Sequence, residues 1–164
     1  MLRVRCERAT GLTNRCSGGR HGPSVSMAGM SEGDRAAQFA ARYLVTGDAV
    51  FLEIERAVLG VDYQATGYTT RSEADDLGRQ MELCTDSRLL DLGSGCGFPG
   101  LYLSTRTGCS IVTVDPVAAG ASTSRARALR DGLTDRHLAV VARGQALPVS
   151  NASFDAIVHV DVTC

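Results

Sequence analysis

One stretch constrains this chain more than any other: an apolar segment runs directly into closely spaced glycines, Arg88-Leu89-Leu90-Asp91-Leu92-Gly93-Ser94-Gly95-Cys96-Gly97-Phe98-Pro99-Gly100. Its first residues suit a buried strand. Glycines at 93, 95 and 97 permit backbone conformations closed to other residues and let the main chain approach a ligand closely. A helix beginning near Gly97 then aims free N–H groups at that ligand. The segment reads as strand, cradle and helix.

The 164 residues are 44% hydrophobic, which suits about one domain with its own core. A net charge of −1, with acids and bases interspersed, gives no electrostatic footprint for nucleic acid or an anionic membrane. The expected partner is a small molecule. All 17 basic residues are arginine, so Schiff-base lysines and the lysine of a Walker phosphate loop are excluded. The six cysteines, at 6, 16, 84, 96, 109 and 164, form no C-x-x-C pair and have no histidine at metal-ligand spacing. They read as reduced thiols of a cytoplasmic chain, with no metal. No apolar run approaches the roughly 18 residues that span a bilayer.

Residues 1–30 place Arg3, Arg5, Arg8, Arg15 and Arg20 among Gly, Ser and Thr. They read as a disordered extension, or as a start assigned too early with Met27 or Met30 as the true beginning. From Ser31 the pattern turns helical. Ser31 and Asp34 have capping-box spacing ahead of Ala36, Phe39, Ala40 and Tyr43, and this helix ends near Gly47. Asp48 caps a second helix whose Val50, Phe51, Ile54 and Val58 form an apolar stripe expected in the core, stopped by Gly60. After a loop containing Gly67-Tyr68-Thr69-Thr70, Ser72 and Asp75 are spaced to cap a third helix through Leu77, Met81 and Leu83.

Strands and helices then alternate: strand 88–92, helix from Gly97, strand 110–114, helix 121–130, strand 137–142 and strand 155–162. The pattern predicts an α/β fold with a Rossmann-like, doubly wound, mostly parallel sheet. Ligands of such sheets bind beyond the carboxyl ends of the strands. Asp115 ends the second of these strands, where a carboxylate can accept from both hydroxyls of a ribose. Asp91 can orient the glycine turn or accept from a cationic ligand amine. Gly95-Cys96-Gly97-Phe98-Pro99-Gly100 also fits G-x-G-x-x-G, a weak pattern alone, which keeps an NAD(P)-dependent oxidoreductase in view.

Asp91-Leu92-Gly93-Ser94-Gly95-Cys96-Gly97, Val112-Thr113-Val114-Asp115, Ala146-Leu147-Pro148 and Ser153-Phe154-Asp155-Ala156-Ile157-Val158 together resemble the successive motifs of class I S-adenosylmethionine-dependent methyltransferases of the small-molecule, type 11-like group. Residues 61–164 carry the resemblance. It implies S-adenosylmethionine as cofactor and methyl transfer to a small molecule. It also implies that Gly93, Ser94, Gly95 and Gly97 pack against the methionine and ribose, that Asp91 lies near the methionine end and that Asp115 holds the ribose hydroxyls. Tyr68 falls where such enzymes bring an N-terminal segment over the cofactor. Arg143 stands where the family often has an acid, which passes adenine recognition to backbone groups at Gly144 and Gln145.

Three regions result: the extension 1–30, a helical cap or lid 31–84, and a cofactor-binding half-domain 85–164. Family members continue with three further strands, so the resemblance implies a sheet incomplete on its C-terminal side. A partner chain or dimer is then expected over the exposed edge. In the expected last strand His159 and Asp161 alternate onto the face of Ile157, where polar residues suggest a position facing the pocket, and His159 is a candidate base on a substrate hydroxyl or amine. A truncated, non-catalytic remnant of such an enzyme is the alternative to an active methyltransferase.

Overall fold

The computed structural model describes residues 31–162; the extension 1–30 lies outside the described residues. In chain order the elements are α1 (Glu32–Val45), α2 (Ala49–Val58), α3 (Arg71–Gln80), β1 (Arg88–Leu92), α4 (Gly100–Thr107), β2 (Ser110–Asp115), α5 (Ala118–Arg130), β3 (His137–Val141) and β4 (Ala156–Val158). The four strands are parallel and lie in the order β3-β2-β1-β4, so the chain moves outward from β1 to β3 and then crosses back to place β4 on the other side of β1. This is the expected Rossmann-like arrangement.

Strand register explains the two sheet faces. Leu89 pairs with Ile111 and Ala156, and Ile111 with His137, all on one face. Helices α4 and α5 cover that face: a Cβ on Gly100 would lie 2.4 Å from Ile111, and Ser124 of α5 reaches Thr113 and His137 with its hydroxyl. Leu89, Leu101, Leu103 and Ile111 are fully buried there. The next row, Leu90-Val112-Leu138 with Ile157, lies on the other face, where Leu138 and Ile157 are 59% and 61% exposed.

Several boundaries differ from expectation for identifiable reasons. Helix α3 is capped by Thr70 rather than Ser72, because Thr70 and Glu73 complete a reciprocal capping box. Helix α4 begins at Gly100, since Gly97 has φ 109°, outside the helical region. Helix α5 starts early, at Ala118, where Asp115 Oδ1 accepts from the Val117 N–H just ahead of it. Strand β4 stops at Val158: His159 Nδ1 donates to the Leu92 carbonyl at 2.7 Å, and Asp161 takes a left-handed φ of 56°. The expected caps at Ser31 and Asp48 are present.

The α2 stripe is the largest correction, for Val50, Phe51, Ile54 and Val58 are exposed. The helix instead turns Leu52, Glu55 and Leu59 inward, a spacing that shares one face. Buried Glu55 accepts from the Tyr63, Gln64 and Ala65 N–H groups at 2.8, 2.9 and 3.2 Å, and these bonds partly offset the rise in its pKa caused by burial. That carboxylate fixes the start of the 63–70 segment. Tyr63 then packs against Phe98 and Tyr102, with the Arg127 guanidinium 3.8 Å over its ring.

Replacing Glu55 with Ala strands one buried and two half-buried N–H groups. Urea unfolding is expected to show a loss of about 2–4 kcal/mol for Glu55→Ala and a smaller loss for Glu55→Gln, which keeps one acceptor oxygen. Equal, small losses would contradict this account of how the segment is held.

Candidate functional site

The glycine turn is shaped by the neighbouring strand. Gly93 and Ser94 both donate their N–H groups to the Val114 carbonyl, at 2.8 and 3.1 Å. Gly93 and Gly95 have φ values of 78° and 51°, which only glycine adopts at low cost. Asp115, at the end of β2, then accepts the Gly95 N–H at Oδ2 and the Val117 N–H at Oδ1, each at 2.8 Å. One carboxylate thereby joins the turn to the start of α5. Burial pushes its pKa up, and the two N–H bonds with the Tyr43 hydroxyl oppose that rise.

A cleft of about 180 Å³ opens above the carboxyl ends of β1 and β2. Gly93, Ser94, Gly95 and Asp115 line it from the strand ends, with Phe39 and Tyr43 from α1. Gly67, Thr69, Asp161 and Val162 line it as well. Asp161 Oδ2 accepts from the Tyr68 and Thr69 N–H groups, both at 3.0 Å, and from the Thr69 hydroxyl at 2.7 Å. The segment after β4 is thus tied to the 67–69 loop beside the cleft. Among the described residues, Ser94 Oγ is buried with no hydrogen-bond partner. Such a group is costly to leave unmet, and at a cleft wall it marks a place for a ligand acceptor.

Of the residues selected from sequence, Gly93, Ser94, Gly95 and Asp115 meet at this cleft. Gly97 packs elsewhere: a Cβ on it would fall 2.5 Å from Leu101 and 2.9 Å from Ser124. Asp91 is wholly buried below the turn, with Oδ2 accepting from the Gly100 N–H at 3.0 Å, so it orients the start of α4 and does not reach the cleft. Gly144 and Gln145 are exposed and away from the lining. Tyr68 directs its side chain into solvent, 78% exposed, and meets the site only through its N–H bond to Asp161. His159 does not face the cleft, because its ring is held at the Leu92 carbonyl after the strand has ended.

Sequence reasoning missed Tyr43 and Thr69 as cleft residues. Tyr43 lay on an apolar helix stripe and read as core, which in part it is. Asp161, expected to face the pocket from the last strand, does line the cleft, but from the segment after β4 and not from the strand. Among the described residues no cluster of His, Cys, Asp and Glu is arranged to hold a metal, and no helix is long and apolar enough to cross a membrane.

Comparison with known proteins points one way. Residues 89–164 match the family described as "Methyltransferase domain". No curated protein matches the chain. A solved structure of a putative S-adenosyl-L-methionine-dependent methyltransferase from Methanococcus maripaludis matches with a TM-score of 0.55 at 19% identity, over 80% of this chain and 53% of that one. A SAM-dependent methyltransferase from Thiobacillus denitrificans, in complex with S-adenosyl-L-homocysteine, matches with a TM-score of 0.52 at 23% identity, over 70% and 44%. One from Geobacter sulfurreducens, with the same ligand, matches with a TM-score of 0.52 at 24% identity, over 57% and 37%. These identities establish likeness of fold. The chain spans only about half, or less, of the length of these structures.

Asp91 makes the site's support pH-dependent. Burial raises its pKa from the ordinary 3.8 to about 7, the nearby Asp115 charge adding to the rise and the Gly100 N–H bond opposing it. Between those values the folded chain holds a proton that the unfolded chain has released, so this contribution to stability is complete below 3.8 and lost as pH rises through about 7. Urea titrations are expected to show wild-type stability falling by up to about 4 kcal/mol from this group across that window. Asp91→Asn is expected to show a flatter profile; an unchanged slope would contradict it.

Proposed function

We propose that this chain, whose residues 89–164 match the methyltransferase domain family and whose sheet has the fold of solved S-adenosylmethionine-dependent methyltransferases, binds S-adenosylmethionine in the cleft above β1 and β2 and directs its methyl group to a small-molecule acceptor. The observation that carries this reading is Ser94 Oγ, buried without a partner on the same turn as the left-handed Gly93 and Gly95 and lining the same cleft as Asp115. A cofactor with a carboxylate at one end and a ribose diol in its middle suits that donor and that acceptor. In this reading Asp115 takes the ribose hydroxyls, Ser94 donates to the amino-acid end, and Gly93 and Gly95 leave room for close approach.

When bound, the cofactor supplies a methyl group on a positively charged sulfur. Charge disperses as that methyl departs, so the protein's contribution is to orient the two reactants and exclude water. The 67–69 loop held by Asp161 is placed to do this. No base is assigned, since the His159 ring is engaged at the Leu92 carbonyl. A partner chain over β4 remains part of the proposal, supported by the exposure of Leu138 and Ile157 on the sheet face away from α4 and α5. The free thiols of Cys84, Cys96 and Cys109 fit a reducing, cytoplasmic setting.

Calorimetric titration tests the reading directly. The wild-type chain is expected to bind S-adenosylhomocysteine and not NAD(H), and Asp115→Ala to weaken binding by at least about tenfold, as loss of hydrogen bonds to a charged acceptor implies. No binding by folded protein would refute the proposal. Binding of NAD(H) instead would favour an oxidoreductase, and cofactor binding without methyl transfer to any acceptor would favour a non-catalytic remnant.

A further inference from the structure

Asp115 is already occupied by three donors. The Gly95 and Val117 N–H groups take one position on each oxygen, and the Tyr43 hydroxyl donates to Oδ2 at 3.4 Å. An ionised carboxylate offers about four acceptor positions, so about one is left, while a ribose diol brings two hydroxyls. The N–H groups belong to the turn and to the start of α5 and cannot be withdrawn without unmaking the site. Tyr43 can, because its bond is the longest of the three and comes from a helix outside the sheet.

We propose that Tyr43 is a ribose-mimicking latch: its hydroxyl holds the cofactor-binding oxygen of Asp115 in the ligand-free chain, and cofactor binding displaces it and releases this part of α1. The inference rests on the S-adenosylmethionine reading above and adds a residue that sets cofactor affinity.

The packing around the phenol supports the exchange. The Tyr43 ring packs against both the glycine turn and the first turn of α5: a Cβ on Gly95 would lie 3.4 Å from the hydroxyl, and one on Gly120 would lie 2.9 Å from the ring. Tyr43 belongs to a small apolar cluster with Cys96 and Val117, against which Ala36, Phe39 and Ala40 pack, separate from the main core. A helix held by so small a cluster can open locally at low cost. Two other bonds remain as a pivot when the phenol leaves: Arg42 Nη2 donates to the Thr66 carbonyl at 2.8 Å, and the Thr46 hydroxyl to the Gln64 carbonyl at 3.4 Å.

Tyr43→Phe keeps the ring and removes the competing donor. Titrated with S-adenosylhomocysteine, it is expected to bind about two- to tenfold more tightly than wild type, the range for one modest hydrogen bond. A merely structural role for the hydroxyl predicts the opposite sign, so equal or weaker binding overturns the proposal. A second measurement needs no variant: in the wild-type chain, S-adenosylhomocysteine is expected to speed amide hydrogen exchange in residues 39–47, and unchanged or slower exchange overturns it. Wild-type protein that does not bind S-adenosylhomocysteine defeats the cofactor reading together with this one, whereas binding without the Tyr43 effects defeats this inference alone.

Discussion

The Asp115 carboxylate is the junction on which the site depends. A parallel sheet delivers the ends of β1 and β2 side by side, but nothing in strand pairing alone determines how the chain leaves them. Asp115 does so by accepting the Gly95 N–H on one oxygen and the Val117 N–H on the other, which fixes the glycine turn and the start of α5 together. The Val114 carbonyl adds the complementary half, taking the N–H groups of Gly93 and Ser94. The end of β2 therefore presents an acceptor, a carboxylate and a helix start within the five residues Val114 to Ala118, and the β1 turn is moulded onto them. Burying the carboxylate is unfavourable in itself, and it is tolerated because both oxygens are met by donors.

Topology puts this junction where a ligand can use it. Strand order β3-β2-β1-β4 means that connections from β1 and from β3 diverge, leaving the carboxyl end of β1 open between them. The cleft is then closed laterally by segments far away in sequence. Tyr63, clamped between the Arg127 guanidinium and the rings of Phe98 and Tyr102, anchors the chain leading to Thr69. Asp161, three residues beyond the end of β4, pins that same loop through three hydrogen bonds to one oxygen. The two flanks of the cleft thus depend on each other: the loop lacks its anchor without the segment after β4, and that segment crowds Gly93 through Val162.

Features encoded by local chemistry were legible in the sequence. Ser31 with Asp34, Asp48 before an apolar helix, and the 93–97 glycines each carry their own reason for the structure they adopt, and the structure holds all three. Ser72 and Thr70 show the limit of local rules, since both head a hydroxyl-x-x-acid pattern and only the Glu73 partner completes the box. The α2 stripe fails for a different reason: periodicity reveals an amphipathic helix but not which side the rest of the chain claims. Here three backbone N–H groups from residues 63–65 claim the Glu55 side. His159 and Asp161 were placed by extrapolating strand alternation past Val158. One bond from His159 to Leu92 and one left-handed residue at Asp161 end that alternation, leaving the aspartate beside the cleft and turning the histidine out of it.

Asp91 and Asp115 show why residue type alone could not separate a supporting group from a ligand-binding one. Both are strand-end carboxylates beside the same glycines, and both are buried. Asp91 has a single N–H donor, from Gly100, and no path to the cleft, so desolvation dominates and its pKa reaches about 7. Near neutral pH a large share of it is protonated, which suits a group whose task is to seat a helix start without placing a full charge under the turn. Asp115 borders the cleft and gathers N–H donors on both oxygens, an arrangement that favours the charged form and therefore the accepting role. The difference between them is a count of donors and an exposure to the cleft, both set by how the turn folds back over the strands. The same turn that the sequence marks with glycine therefore assigns the two acids their separate duties.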